Sequence, residues 1–233
     1  MKIQSFICIA ILFFVVGNLA MCSKQSASQT ASVAQDTLEA STPEQALVKL
    51  LAGNERYVSW QCIHPHTDAH RVSETAPHQA PFAAVVGCSD SRVPVELVFD
   101  QGIGDIFVIR TAGNNVNSEM VMGSVDYAIE HLGVKVLLVL GHGSCGGVTG
   151  AISENNEEHG NIGNLLDVIR KDVPQYVGKS DSLDVAVRHH AQKQVERIVA
   201  YPHVAEKIQR GELIVKCAYY DVHTGKVTIE CNS

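Results

Sequence analysis

Three short apolar runs, rich in β-branched residues, divide the middle of the chain into alternating segments. They are FAAVVG (82–87), DIFVIR (105–110) and VKVLLVLG (134–141), and the residues between them, at 93–101 and 118–133, place apolar side chains at helical spacing. Near-continuous apolar strands that alternate with helices are typical of a parallel sheet covered on both faces. The sequence therefore predicts an α/β fold with a mainly parallel central sheet flanked by helices.

Further elements are predicted on both sides of these units. Thr42, Pro43 and Gln45 form a helix-start signature, which predicts an N-terminal helical arm over 42–58 that is free to dock away from the sheet. Between 60 and 80 the chain is polar and irregular, which predicts a loop with one short helix. The remaining predicted elements are helices at 163–177 and 184–210, a strand at 212–221, a turn at 223–226 and edge residues to the end.

The first 41 residues differ in composition from the rest of the chain. Residues 1–21 contain one lysine and an apolar run at 6–17 that is short for a bilayer span, which predicts a signal peptide and export to the periplasm or cell envelope. Cys22 follows a sequence like a bacterial lipoprotein signal, so one interpretation is a lipid anchor at Cys22, the other an ordinary cleaved signal. Residues 22–41 are predicted to form a flexible linker, and residues 42–233 are predicted to form one globular domain.

Charge argues against a nucleic-acid partner. The formal net charge is -7, the acidic residues are dispersed, and no block of lysine and arginine is present. The substrate is therefore expected to be a small molecule bound in a pocket.

Two predicted strands end in residues that carry chemistry. Cys88, Asp90 and Arg92 alternate after the first strand, so their side chains share a face. His142 and Cys145 follow the third strand within a glycine-rich segment that lets both reach one point. Ligands bind beyond the carboxyl ends of strands in open α/β sheets, and zinc takes cysteine sulfur and histidine nitrogen. Three such ligands leave a fourth position open, as in catalytic zinc sites.

Other interpretations use the same residues. A single cysteine at a strand end is commonly a small buried hydrophobe, and a cysteine–histidine pair also serves as the nucleophile of thiol hydrolases. The conjunction of two cysteines, a histidine and an Asp/Arg pair at neighbouring strand ends favours zinc.

The segments CSDSR and GHGSCGG resemble the two signature motifs of β-class carbonic anhydrases, and similarity extends over about residues 42–230. The resemblance implies the β-carbonic anhydrase fold and reversible hydration of carbon dioxide to bicarbonate and a proton by hydroxide on one Zn²⁺ per chain. It also implies a homodimer or homotetramer in which the N-terminal helix embraces the partner and the active cleft lies at the dimer interface.

The chemistry of the motif assigns a role to each residue. Cys88, His142 and Cys145 would hold the zinc, which lowers the pKa of bound water to roughly 7. Asp90 would orient the reacting water and take part in proton transfer, and Arg92 would hold Asp90 ionised with two donors. Two alternatives remain: a zinc hydrolase of carbon disulfide or carbonyl sulfide, and a non-catalytic zinc-binding module.

The resemblance also distinguishes two forms of the site. The regulated form, in which the aspartate closes onto the metal, has a tryptophan where this chain has Val85. The open form has a glutamine at the position of Gln79 and aromatic residues at the positions of Phe107 and Tyr127, which shape the substrate pocket. We therefore expect the open form, although Gln79 could also be a solvated turn residue and Tyr127 could serve in helix–sheet packing.

The remaining histidines and cysteines receive structural interpretations. His64, His66, His70 and His78 are predicted to be solvated loop residues, and His189, His190 and His203 are predicted to be surface or helix-cap residues. After export, a disulfide could join two of Cys62, Cys217 and Cys231, while Cys217 in an apolar strand could equally be inert.

Overall fold

A computed structural model describes residues 40–155 and 157–230, and they form a five-stranded sheet. The strands lie in the order β2-β1-β3-β4-β5; the first four are parallel, and β5 is antiparallel to β4. The predicted mainly parallel sheet is confirmed. The strands are β1 (Ala83–Cys88), β2 (Ile106–Thr111), β3 (Val136–His142), β4 (Ile214–Tyr220) and β5 (Val227–Ile229).

Helices cover both faces of the sheet. The predicted helix at 184–210 is two helices, because the chain turns at Tyr201 and restarts at Pro202, whose ring suits a first helical turn. A π-helical segment, Tyr127–His131, extends α4, and a 3₁₀ turn, Ala112–Asn114, follows β2. The α-helices are α1 (Pro43–Val58), α2 (Ala69–Thr75), α3 (Val95–Val98), α4 (Glu119–Asp126), α5 (Gly146–Ile152), α6 (Gly160–Asp172), α7 (Leu183–Val199) and α8 (Pro202–Gln209).

Alternate residues of the buried strands point into two separate cores. Ala84 and Val86 of β1 face a core shared with α4, α7 and α8, whereas Ala83 and Val85 face a core shared with α1 and α3. Because every residue of β1 and β3 is buried, these strands carry no alternation of polar and apolar residues. The two central strands are therefore fixed from both sides, and their carboxyl ends form a rigid edge.

The predicted N-terminal helix is present, with the expected start. The Thr42 hydroxyl accepts a hydrogen bond from the backbone N–H of Gln45, and the Gln45 side chain accepts one from the backbone N–H of Thr42. The apolar stripe of α1, through Ala46 and Leu50, packs on this chain's own sheet rather than away from it. At Gly53 an added Cβ would lie 1.8 Å from the carbonyl oxygen of Phe99, so the close approach requires glycine.

Several predictions fall outside the described residues, namely the signal peptide at 1–21, the lipidation of Cys22, nearly all of the linker at 22–41, and Cys231. Within the described part of the chain, no helix is long and apolar enough to cross a bilayer. Cys217 is disulfide-bonded, which excludes the interpretation that it is an inert thiol, whereas Cys62 is a free, partly buried thiol.

Candidate metal centre

Three ligand atoms meet at the carboxyl ends of β1 and β3. Cys88 is the last residue of β1, His142 is the last residue of β3, and Cys145 immediately precedes α5. A tight turn in which Ser144 adopts a positive φ of 55° brings Cys145 back toward the sheet. The two sulfurs and a ring nitrogen lie within 4.8 Å of one another, and all three side chains are buried. The structure thus brings together the three residues that were predicted as metal ligands.

The imidazole of His142 is oriented for coordination. Its Nδ1 lies 2.9 Å from the carbonyl oxygen of Gly143, to which it donates, so Nε2 carries the lone pair. Nε2 is fully buried and has no hydrogen-bond partner among the residues that the structure describes. Buried polar atoms are rarely left unsatisfied, and a metal ion at the centre of the three ligands would satisfy this one. Sulfur, sulfur and imidazole nitrogen are ligands that zinc prefers.

The two thiols lie in direct contact and influence each other's acidity. A hydrogen bond from Cys145, together with the backbone N–H groups of Asp90 and Gly113, lowers the pKa of Cys88. The hydrogen bond to Cys88 and burial raise the pKa of Cys145 well above its usual range. The two sulfurs are therefore hydrogen-bonded to each other, and a divalent cation bound between them would displace protons from the thiols.

An Asp/Arg pair lies beside the three ligands. The Arg92 guanidinium donates to both carboxylate oxygens of Asp90, with Nε 2.9 Å from Oδ1 and Nη2 2.7 Å from Oδ2, and the backbone N–H of Arg92 donates to Oδ1 at 2.9 Å. Nη2 also donates to the carbonyl oxygen of Ser144 at 3.1 Å. These hydrogen bonds hold the pKa of Asp90 well below its usual range. Asp90 is therefore an ionised carboxylate in a fixed orientation.

The carboxylate of Asp90 faces the three ligands without joining them. Its Oδ2 lies 4.0 Å from Nε2 of His142, and the group of atoms close enough for one ion consists of Cys88, His142 and Cys145. Because Arg92 engages both oxygens, Asp90 is restrained from moving onto a metal. The open form of the site stays a prediction.

Arg110 is a residue of this site that the sequence analysis missed. Its Nε donates to the carbonyl oxygen of Cys88 at 3.0 Å, and its Nη2 donates to the carbonyl oxygen of Asp90 at 2.7 Å. The guanidinium therefore fixes the backbone on both sides of Ser89. The available signal was the position of Arg110 at the end of the predicted strand 105–110, beside the strand that carries Cys88.

Phe107 and Tyr127, which are predicted to line the substrate pocket, lie away from the three ligands of their own chain. Phe107 pairs with Ala84 in the sheet, whereas Cys88 pairs with Thr111, which separates Phe107 from Cys88 by about 13 Å along the strand. The Tyr127 ring lies 6.0 Å from the Phe107 ring between centroids and is 44% exposed. Gln79 is exposed in the segment between α2 and β1. The roles of these three residues remain predictions.

The prediction that His190 is a surface or cap residue is wrong. His190 is fully buried in α7, with ring contacts to Gly113 and Asp172. His190, Gln194 and Arg197 recur three or four residues apart and so lie along one side of the helix, the side that carries the polar cluster around Asp172. His189 is partly exposed, and His203 lies 3.0 Å from Asp126 at the surface.

Comparison with known proteins identifies the family. Residues 83–227 match the family model described as carbonic anhydrase. Carbonic anhydrase 2 of Mycobacterium tuberculosis is 35% identical over 192 residues, which cover 80% of this chain and 92% of that protein. Carbonic anhydrase of Mycolicibacterium smegmatis is 34% identical, over 81% of this chain and 94% of that protein.

A solved structure agrees in fold and class. The β-carbonic anhydrase of Coccomyxa, in complex with acetazolamide, superposes with a TM-score of 0.63 at 28% identity, over 77% of this chain and 84% of that chain. This chain belongs to the β-class carbonic anhydrase family. Its reaction is therefore the reversible hydration of carbon dioxide to bicarbonate and a proton, with zinc as cofactor. Membership of this family favours carbon dioxide over carbon disulfide or carbonyl sulfide, and an enzyme over a non-catalytic zinc-binding module.

Proposed function

We propose that Cys88, His142 and Cys145 hold one zinc ion per chain and that Asp90 and Arg92 complete the catalytic site of the carbonic anhydrase. The ligand assignment is supported by the proximity of the three atoms and by the buried, unpartnered Nε2 of His142. A bound zinc ion supplies the Lewis acidity that makes water a nucleophile at neutral pH.

Asp90 accepts a hydrogen bond from the reacting water and takes part in the transfer of its proton. The observation that carries this role is the double hydrogen bond from Arg92, which leaves the carboxylate ionised and aimed at the ligand group, 4.0 Å from Nε2 of His142. An ionised carboxylate is an acceptor only, so it selects the orientation of a water molecule that donates to it. Arg92 acts on the reaction through Asp90 and is a positioning residue.

Zinc analysis combined with carbon dioxide hydration kinetics on wild type and Asp90→Asn tests this proposal. We expect one zinc per chain in both proteins and a fall in kcat of about 10²-fold or more in the variant, because proton transfer by a positioned side chain contributes that much. Asp167→Asn, at an exposed position of α6, is the matched control and should retain full activity. Full activity of Asp90→Asn would remove Asp90 from the mechanism.

We further propose that Gln79, Phe107 and Tyr127 line the substrate pocket of a second copy of the chain. The rings of Phe107 and Tyr127 are paired and partly exposed, and Phe107 lies four residues along β2 from Thr111, which pairs with Cys88; this separation favours a role in the site of another subunit. A homodimer, or a homotetramer built from such dimers, would place them at the neighbouring cleft.

Subunit complementation tests this arrangement. Asp90→Asn abolishes the site of its own chain, whereas Phe107→Ala would damage the site of the partner. In a mixed dimer one site carries both defects and the other carries neither, so an isolated mixed dimer should have about half of wild-type activity, and a randomly associated equal mixture of the two variants should recover about a quarter. No recovery in a sample shown to contain mixed dimers would contradict the proposal.

We propose that the enzyme is exported to the periplasm or cell envelope, with residues 1–21 as a signal peptide and Cys22 as a candidate lipidation site. The disulfide-bonded state of Cys217 supports an oxidising compartment. Cell fractionation and N-terminal analysis of the mature protein test the export, and Cys22→Ala tests the anchor. A mature protein that begins at Met1 in the cytoplasmic fraction would contradict the proposal.

A further inference from the structure

A second polar cluster lies inside the domain, one layer behind the metal ligands. His190 and Gln194 of α7 are fully buried, and Asp172 at the end of α6 is almost so. Nδ1 of His190 and Nε2 of Gln194 lie 2.9 and 2.8 Å from Oδ2 of Asp172, and Arg197 donates to both oxygens of the same carboxylate. The cluster contains charged groups, and the reaction described above does not use any of them.

The cluster is connected to a metal ligand through a single glycine. Nε2 of His190 donates to the carbonyl oxygen of Gly113 at 2.8 Å, and the backbone N–H of Gly113 donates to Sγ of Cys88 at 3.3 Å. Both contacts are buried. A continuous series of hydrogen bonds therefore runs from Arg197 and Asp172 through His190 and Gly113 to the sulfur of Cys88.

Gly113 needs to be held in place. It lies in the turn Ala112–Asn114 with φ 68° and ψ 26°, and Asn114 follows with a positive φ of 45°. Two successive residues in the left-handed region form a conformation that the chain seldom adopts unsupported. The bond from His190 fixes the carbonyl of Gly113, and Gln194 fixes the end of the same segment by accepting from the backbone N–H of Val116 at 3.1 Å.

Stability alone is a weak explanation of this cluster. Buried ion pairs lose most of their Coulombic attraction to desolvation, and apolar replacements of similar volume are often at least as stable. Hydrogen bonds one layer behind a metal ligand, by contrast, set its orientation and its electron donation. An N–H donor to a thiolate withdraws charge from the sulfur and keeps its lone pairs directed.

We propose that His190 and Asp172 are positioning residues for the zinc ligand Cys88, acting through the N–H of Gly113. Asp172, fixed by Arg197 and Gln194, orients the imidazole; the imidazole fixes Gly113; and Gly113 sets the direction and donation of the sulfur. The inference rests on the proposed function, because it requires Cys88 to be a zinc ligand.

Paired substitutions at His190 provide the test. His190→Gln retains an N–H donor near the position of Nε2, whereas His190→Leu retains the bulk and removes the donor. The readouts are the rate of zinc release to a chelator and the thiolate-to-cobalt absorption band of the cobalt-substituted protein. We expect His190→Leu to release zinc roughly tenfold faster and to shift the band, and His190→Gln to stay close to wild type. Asp172→Asn should change both readouts in the direction of His190→Leu, and it decides the question if His190→Leu does not fold.

A stability control separates positioning from general loosening. Asn54→Ala removes a buried side chain that makes three hydrogen bonds on the opposite face of the sheet, so it should lower stability and leave zinc release and the band unchanged. The proposal would be overturned if His190→Leu, His190→Gln and Asn54→Ala changed zinc release and the absorption band equally. It would also be overturned if neither His190→Leu nor Asp172→Asn changed these two readouts. Cys88→Ser distinguishes a failure of this inference from a failure of the proposed ligand assignment. If that variant binds zinc as tightly as wild type, Cys88 is not a zinc ligand.

Discussion

The guanidinium of Arg92 meets the carboxylate of Asp90 edge to edge, with Nε 2.9 Å from Oδ1 and Nη2 2.7 Å from Oδ2. Both residues come from the loop that follows β1, only two positions apart, and the backbone N–H of Arg92 adds a third bond. The loop therefore fixes the orientation of the carboxylate that we propose for catalysis. This geometry distinguishes arginine from lysine, because only a planar fork can donate to both oxygens at once.

Arg92→Lys should retain one zinc ion per chain and should have a lower kcat. Lysine preserves the charge but cannot hold both oxygens of Asp90, so the carboxylate gains freedom to rotate away from the reacting water. A displacement of about 1 Å in a catalytic group can lower the rate by about 10²-fold, and we expect a fall in kcat of that order in carbon dioxide hydration. Arg210→Lys, in an exposed ion pair with Glu212, is the control and should leave kcat unchanged. Wild-type turnover in Arg92→Lys would show that charge alone suffices.

Cys145→Ser should lower the zinc content well below one per chain. A serine hydroxyl is a poor zinc ligand at neutral pH, and the loss of one of three protein ligands weakens the site. Cys62→Ser provides the matched control, because Cys62 is a free, partly buried cysteine outside the ligand group. Metal analysis after dialysis against a weak chelator measures both variants. Equal zinc content in the two proteins would argue against Cys145 as a ligand.

The fold was predictable because its central strands are buried on both faces. Strands such as 82–87 and 134–141 read as nearly unbroken apolar runs, and β1 and β3 lie within one or two residues of them. The single predicted helix at 184–210 was wrong because its apolar spacing continues across Pro202, which starts a new helix. The apolar spacing alone therefore did not indicate the helix boundary that Pro202 marks.

The candidate site was predictable where its residues are close in sequence. Cys88, Asp90 and Arg92 lie within five residues, and His142 and Cys145 lie within four. The spacing within each group therefore indicated that its side chains lie close together. His190 was misplaced because its partners are Gly113 and Asp172, at distances of 77 and 18 residues along the chain, which no local pattern connects. Its burial follows from the packing of α7 on the sheet, a tertiary effect.

Gly113→Ala should lower the free energy of unfolding more than Gly133→Ala does. Both glycines have a positive φ, 68° and 63°, so alanine meets similar backbone strain, of about 1 kcal/mol, at either position. At Gly113 the added Cβ would also lie 2.7 Å from Cδ1 of Ile169, whereas at Gly133 nothing lies within 4 Å. We expect the free energy of unfolding to fall by about 3 kcal/mol in Gly113→Ala and by about 1 kcal/mol in Gly133→Ala.

Urea unfolding of the zinc-saturated proteins measures this difference. The double variant Gly113→Ala with Ile169→Val should recover part of the loss, because valine lacks the Cδ1 atom that causes the clash. Equal destabilisation by the two alanine substitutions would show that Ile169 moves aside without cost.

Asp172→Asn should destabilise the protein at neutral pH and much less in acid. Burial alone would raise the pKa of Asp172, but hydrogen bonds from His190, Arg197 and Gln194 outweigh it and hold this pKa well below its usual range. A carboxylate whose pKa is lower in the folded state contributes stability above its unfolded pKa of about 3.9, and that stability is lost as the pH falls through the folded pKa. We expect a loss of about 3 kcal/mol at pH 7, because asparagine leaves buried cations uncompensated.

The difference in unfolding free energy between wild type and Asp172→Asn, measured in urea at several pH values from 7 to 3, tests this expectation. The difference should be constant from pH 7 to about 5 and should shrink below about pH 4, where the unfolded wild-type chain takes up a proton at this position. Asp167→Asn, on the exposed side of α6, should show a difference near zero throughout. A gap between wild type and Asp172→Asn that widens in acid would mean that Asp172 is protonated in the folded protein, and the hydrogen bonds of Arg197 and His190 would then require a different charge assignment.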